Sequence, residues 1–245
     1  GDNFYWCGIQ NSSDYQVKAD FVDVYTQDSL QIPFYGCLGN HEYGYNVSAQ
    51  LALREERDDM DRWILPDRYW ETRLPLPGAP DDRHISLIVL DTSPCMSQFR
   101  SDDSSDWDPC GEEYPTCSPG STDDDFEGVC QFHENILSQN CAEQFSWFST
   151  SVARAASTYP NDWLVVMGHA PADELDLAGD WVGTMQAAGV DLYINGHVHA
   201  LQQYDMDGYG AYITTGAGSM TETMDQDTLL ARAKLSGDDK AINSL

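Results

Sequence analysis

Five short apolar runs in the 245-residue chain stop abruptly at glycine or polar residues. They cover residues 32–38 before Gly39-Asn40-His41, 85–90 before Asp91, 163–167 before Gly168-His169, 190–194 before Asn195-Gly196-His197, and 209–215 before Gly216-Ala217-Gly218. Runs this short, rich in β-branched and aromatic residues, suit strands buried on both faces. Between them the apolar spacing changes to three and four residues. Phe145, Phe148, Val152 and Ala155 or Ala156 make one helical stripe, and Trp181, Met185 and Ala188 make another. Phe21, Val22, Tyr25 and Leu30 predict a further helix before the first strand, and residues 229–235 suit one near the end. Strands alternating with helices predict an α/β layered domain, in which polar residues at strand ends gather round a ligand crevice.

Residues 101–153 depart from this pattern. They contain no Lys or Arg but carry Asp102, Asp103, Asp106, Asp108, Glu112, Glu113, Asp123, Asp124, Asp125 and Glu127, with Pro109, Pro115, Pro119 and Gly120 among them. Such a run reads as a long, solvated acidic loop and not as core. A calcium site built from its Asp oxygens stays open, although the spacing is not that of an EF-hand loop. Five of the seven cysteines (Cys95, Cys110, Cys117, Cys130 and Cys141) lie within residues 95–141, without the CxxC pairs of a zinc site. That grouping predicts a disulfide-stapled insertion made in an oxidising compartment. Cys7 and Cys37 complete an odd count, so one cysteine is free or bonds a partner outside the chain. Two acceptor sequons, Asn11-Ser12-Ser13 and Asn46-Val47-Ser48, point to the same compartment: the cell exterior, or a vacuolar or lysosomal lumen.

Length and composition narrow the partners. One large domain is expected at this length, and 41% hydrophobic residues can build its core. Lys and Arg number 12 against 41 Asp and Glu, a net charge of −29. A field of that sign repels phosphate backbones and anionic lipid, which argues against nucleic-acid and membrane-surface binding. No apolar run approaches the about 20 residues that span a bilayer, so no membrane insertion is expected.

The candidate chemistry sits on the strand ends. His169 follows Gly168, His197 and His199 follow Gly196, and His41 stands in Gly39-Asn40-His41-Glu42. A glycine before each loop lets the chain turn sharply and bring imidazoles into one crevice. Imidazole with carboxylate is a transition-metal ligand set. His84 and His133 lack this placement and read as ordinary surface or core residues. The opening Gly1-Asp2-Asn3-Phe4-Tyr5 adds a carboxylate and a phenol.

Taken in order, Gly-Asp-x-x-Tyr, Gly-Asn-His-Glu, Gly-His-Ala-Pro and Gly-His-x-His resemble the binuclear metallophosphoesterases, and within them the purple acid phosphatases of the small tartrate-resistant type. Residues 46–50, Leu90-Asp91-Thr92 and Gly216-Ala217-Gly218 resemble that group as well. The likeness covers residues 1–220, interrupted by the 95–141 insertion, and leaves 221–245 unassigned. The fold it implies is a layered β-sandwich flanked by helices.

The resemblance also implies roles. Asp2 would bridge two metals; Tyr5 and His199 would complete a ferric site; Asn40, His169 and His197 would hold a divalent iron, zinc or manganese. His41 would face the phosphate as general acid. The group also carries an Asp-x-Gly segment before Gly-Asp-x-x-Tyr, whose aspartate is a ferric ligand. The chain begins after that point, so it reads as part of a longer protein whose first core strand lies upstream. The expected activity is two-metal hydrolysis of phosphate monoesters. The alternative is a secreted binding or structural protein that keeps the fold with an incomplete metal site, using the acidic insertion or an unpaired cysteine to meet a protein partner.

Overall fold

The computed structural model describes residues 1–79, 83–101, 107–110, 117, 129–206, 208–218 and 243–244. In chain order the elements are β1 (Phe34–Tyr35), α1 (Val47–Glu56), β2 (Trp63–Ile64), β3 (Trp70–Pro75), β4 (His84–Val89), α2 (Phe132–Leu137), α3 (Cys141–Thr158), β5 (Trp163–Met167), α4 (Trp181–Ala188), β6 (Leu192–Asn195), β7 (Leu201–Met206), β8 (Tyr209–Thr215) and β9 (Asn243–Ser244). Seven strands form one sheet in the order β3-β4-β5-β6-β8-β7-β9, and β1 pairs with β2 in a separate parallel pair. The links β4-β5, β5-β6 and β6-β8 are parallel, while β3-β4, β7-β8 and β7-β9 are antiparallel.

Side-chain alternation explains the layers. Ile88 of β4 and Leu164 and Val166 of β5 join a core that includes Phe148 and Val152 of α3 and Trp181 and Met185 of α4. Leu87 and Val89 of β4, with Val165 and Met167 of β5, face the other way and pack with Cys37, Ile64 and Trp70. A central parallel strand must satisfy both faces, which is why its sequence is apolar throughout. The α/β class expected from the sequence is the one observed: a sheet flanked by helices.

Boundaries differ in informative places. The run over 32–38 pairs only at Phe34–Tyr35, after Pro33, which has no N–H to donate. The single helix expected over 21–30 is two separate turns, Val17–Val22 and Asp28–Leu30. Thr26, Gln27, Asp28 and Ser29 lie between its apolar positions, and short polar side chains of this kind compete with helical hydrogen bonds. The strands β3 and β7 carry too many polar residues to stand out as apolar runs. The acidic stretch over 101–153 is corrected toward its C-terminal end, where Phe132 and Ile136 are buried in the main core; Cys95, Met96 and Phe99, just before it, are buried there as well. Averaging over the charged residues hides this apolar end. Residues 102–106, 111–116 and 118–128 of that stretch, and residues 229–235, lie outside the described residues.

Three disulfides, Cys7–Cys117, Cys95–Cys141 and Cys110–Cys130, fasten the insertion. Cross-links that close loops of 110, 46 and 20 residues restrict the unfolded chain, worth about 3–5 kcal/mol each on the chain-entropy argument. The free cysteine is Cys37, and it is buried, so the thiol offers no accessible bridge to a partner.

At the end of β4, Asp91 is pinned from two sides. Gln144 of α3 accepts from its N–H and donates to its carbonyl, both at 2.8 Å. The Tyr43 hydroxyl donates to its carboxylate, and Arg68 donates to that hydroxyl at 2.8 Å. Burial pushes the Asp91 carboxyl up to about 6, against the opposing charge of Arg68. A folded value above the unfolded one stabilises the protonated fold; that stability is fully present below about 4 and lost as pH rises through about 6. The difference amounts to about 3 kcal/mol. We expect Asp91→Asn to remove this loss, so that urea denaturation of variant and wild type diverges between pH 4 and 7. Parallel curves would show that Asp91 is not its source.

Candidate metal centre

The parallel strands deliver their end residues to one place. Gly168 and His169 follow β5, Gly196 and His197 follow β6, and Asn40 and His41 follow the segment after β1. A Cβ at Gly168 would lie 2.6 Å from both Thr92 Cγ2 and the Tyr193 hydroxyl, so only glycine lets the chain pass there. Thr92 Oγ1 then accepts from the N–H groups of His169 and Ala170, at 3.1 and 2.9 Å, and fixes the loop.

Donor atoms crowd together at this point. His169 Nε2 lies 2.9 Å from Asp2 Oδ2 and 3.0 Å from Asn40 Oδ1. His197 Nδ1 lies 3.1 Å from the same Asn40 oxygen and 3.3 Å from His169 Nε2. Asp2, His169 and His197 each place a ligand atom within 4.8 Å of the others. Beside them, the Tyr5 hydroxyl lies 3.2 Å from His199 Nε2 and 3.4 Å from Asp2 Oδ2. Asp2 therefore stands between two groups: Asn40, His169 and His197 on one side, Tyr5 and His199 on the other. A cation would bring these carboxylate, amide and imidazole lone pairs together favourably, and the donor set suits a transition metal. A cavity of about 640 Å³ reaches this cluster, lined in part by Tyr5, Phe34, Cys37, Met167, His197 and His199.

Electrostatics and backbone fit the same reading. Burial lowers the His169 imidazole, against the pull of Asp2. Burial acts to raise the Asp2 carboxyl, but its charge and hydrogen-bond interaction with His169 outweigh this and hold it well below the ordinary range. Asp2 and His197 both adopt positive φ, 50° and 51°. This backbone is costly for residues other than glycine and is concentrated at functional sites.

His41 stands beside the cluster without joining it. Its N–H donates to Asp2 Oδ1 at 3.2 Å, and its Nδ1 lies 2.6 Å from the Trp6 carbonyl oxygen. A carbonyl only accepts, so Nδ1 carries a proton and Nε2 is the nitrogen left for a ligand. His84 and His133 stay apart from the cluster, the latter 3.5 Å from Asp108.

The sequence reading assigned no role to Glu42, yet this side chain joins the loops. Its two oxygens accept from four backbone N–H groups: Asn3 at 2.7 Å and Phe4 at 3.1 Å on one, Asp2 at 2.9 Å and Gly39 at 2.6 Å on the other. Burial, followed by the Asp2 charge, raises its carboxyl above the ordinary value, and the backbone N–H groups oppose the rise. The only signal in the sequence was its place in Gly39-Asn40-His41-Glu42.

A layered sheet whose strand-end loops gather carboxylate, amide and imidazole side chains is the architecture of a metallophosphoesterase. The chain belongs to the calcineurin-like phosphoesterase family, whose family model matches residues 1–201. It is 28% identical to the tartrate-resistant acid phosphatase type 5 of Rattus norvegicus over 231 residues, covering 91% of the chain and 60% of that protein. Similarity to purple acid phosphatase 17 of Arabidopsis thaliana is 27% over 243 residues, covering 96% and 62%. The chain thus spans about three-fifths of the length of these relatives. Among solved structures, GAP50, the anchor in the inner membrane complex of Plasmodium, has the same fold, with a TM-score of 0.61 and 21% identity over 92% of the chain and 64% of its own.

Glu42→Gln would turn one acceptor oxygen into a donor facing two N–H groups. We expect a loss of about 2–4 kcal/mol in denaturant unfolding, together with weaker retention of added zinc or manganese in equilibrium dialysis. Unchanged metal retention would remove Glu42 from the support of the site.

Proposed function

We propose that the protein is a metal-dependent acid phosphatase that hydrolyses phosphate monoesters. The observation that carries this reading is the convergence of Asp2, Asn40, His169 and His197 on one point, with Tyr5 and His199 alongside and His41 at the edge. Asp2 would bridge, Tyr5 and His199 would belong to a ferric site, and Asn40, His169 and His197 would hold a second iron, zinc or manganese. Two such ions, when bound, supply the positive charge that draws in the phosphate oxygens and makes a water molecule acidic at low pH.

The chain's own residues account for the remaining steps. The Trp6 carbonyl orients the His41 ring through Nδ1, which points Nε2 toward the ester oxygen of a bound phosphate. Water adds to phosphorus as the bond to the ester oxygen breaks and gives up a proton to solvent, while His41 in its imidazolium form passes its Nε2 proton to that departing oxygen. Thr92 and Glu42 keep the loops from spreading while charge builds up. Three disulfides support a place outside the cytosol, either secreted or in a vacuolar or lysosomal lumen. Asn11 and Asn46, the two sequon asparagines, are exposed, as glycan attachment requires. The fold likeness to an anchoring protein carries no argument for anchoring by this one.

The test is the visible spectrum, metal content and phosphomonoesterase activity of the purified full-length protein. We expect about two metals per chain, a purple band and activity at acidic pH. Tyr5→Phe should lose the band, and His41→Ala should lower kcat by about 10²–10⁴-fold with its metals retained. A colourless protein that resists reconstitution with iron and zinc would overturn the proposal and leave the binding alternative standing.

A further inference from the structure

A cavity of about 190 Å³, lined in part by Asn11, Asp14, Tyr15, Gln16 and Tyr45, shares no residue with the one that reaches the metal-ligand candidates. Two of its lining residues bury a polar atom that finds no hydrogen-bond partner among the described residues: the Gln16 side-chain oxygen and the Tyr45 hydroxyl. Gln16 is 5% exposed and Tyr45 7%. A buried acceptor and a buried hydroxyl left unpaired both cost stability, so this spot calls for a ligand that pairs with them.

The walls are held from several sides. Gln16 Nε2 donates to the Gly8 carbonyl at 3.3 Å, which fixes the amide. Asp14 accepts from the N–H groups of Gln10 and Gln16 at 3.0 and 3.1 Å, one on each oxygen, so half of its lone-pair positions stay open. Tyr45 packs beside the Cys7–Cys117 disulfide. Burial, then the charge of Asp14, raises its hydroxyl above the ordinary value and keeps it a donor. Tyr15 is exposed and adds the face of a ring. Asn11, also exposed, opens the sequon Asn11-Ser12-Ser13. Its Oδ1 accepts from the Ser13 N–H at 2.9 Å, while Nδ2, the atom that carries a glycan, makes no hydrogen bond among the described residues. In the other sequon, Asn46 Nδ2 donates to the Gln10 carbonyl at 3.2 Å.

We propose that this cavity seats the first N-acetylhexosamine of a glycan on Asn11, with Gln16 and Tyr45 as its hydrogen-bond partners. The proposal stands apart from the phosphatase reading. The sugar is bonded to a residue that itself lines the cavity, so attachment supplies a high effective concentration and weak contacts suffice. Its hydroxyl groups donate to Gln16 Oε1 and Asp14, one of its oxygens accepts from Tyr45, and the C–H face of the ring lies on Tyr15. Size and charge select this class of ligand. The volume falls below the about 300 Å³ at which drug-sized sites begin and suits a single ring. A wall with a carboxylate and no Lys or Arg disfavours an anion. The seated sugar braces the 9–16 loop against the disulfide that fastens the insertion.

The test uses the full-length protein secreted by a eukaryotic host, with occupancy of Asn11 read by mass spectrometry. Tyr45→Phe is compared with its parent by urea denaturation in two backgrounds, one glycosylated at Asn11 and one carrying Asn11→Gln. With the sugar present the variant loses a hydrogen bond, and its unfolding constant should rise about fivefold. Without the sugar it removes an unpaired buried hydroxyl, and stability should stay unchanged or rise. Digestion of the native protein with a peptide N-glycosidase gives a second reading. The Asn11 glycan should leave wild type about fivefold more slowly than Tyr15→Ala, in line with the worth of a ring contact. The same effect of Tyr45→Phe in both backgrounds would overturn the seat, as would equal release from wild type and Tyr15→Ala, or an Asn11 that the host leaves bare. None of these readouts depends on phosphatase activity, so the two readings fail separately.

Discussion

A buried carboxylate that accepts four backbone N–H groups holds the two halves of the candidate site in register. Glu42 belongs to the turn after β1, yet it bonds the N–H groups of Asp2, Asn3 and Phe4 as well as that of Gly39. Taking a carboxylate out of water is costly, and here several charge-assisted hydrogen bonds offset the cost. The result is a rigid link between a loop that supplies a carboxylate and a phenol and a loop that supplies an amide and an imidazole. Asp2 can hold its positive φ because these neighbours over-determine it.

The remaining ligand candidates depend on the sheet. Parallel pairing of β4, β5 and β6 puts Thr92, His169 and His197 at the same end, so three loops distant in sequence meet without long excursions. Asp91 and Gln144 extend the same end into α3, joining the site to the helical layer. The disulfides act at the other boundary: they fasten the insertion to the core, bring Trp107 against His41 and tie Trp6 to the same cross-linked frame.

Much of this was legible along the chain. The apolar runs at 163–167 and 209–215 coincide with β5 and β8, because strands inside the sheet pack against neighbours on both sides and both faces. The histidines after Gly168 and Gly196 stood out because turns favour glycine and asparagine but do not select imidazole. Other elements gave no such signal. The strand β3 mixes Trp70, Glu71, Thr72 and Arg73 because it lies at the sheet edge, where half its surface meets water. Phe132 and Ile136 were concealed by the acidic residues before them, although both are fully buried.

The sequence by itself determined the α/β class, the order of the strand-end loops and the residue types that could carry metal chemistry, since periodicity and motif spacing are local properties. Tertiary structure alone decided that Cys37 is the unpaired cysteine, that Glu42 ties the loops, and that Trp107 lies against His41. Each of those depends on pairs far apart in the chain, such as Cys7 with Cys117 or Asp2 with His169. Burial and contact across such distances follow from how the layers pack, and one-dimensional spacing does not encode them.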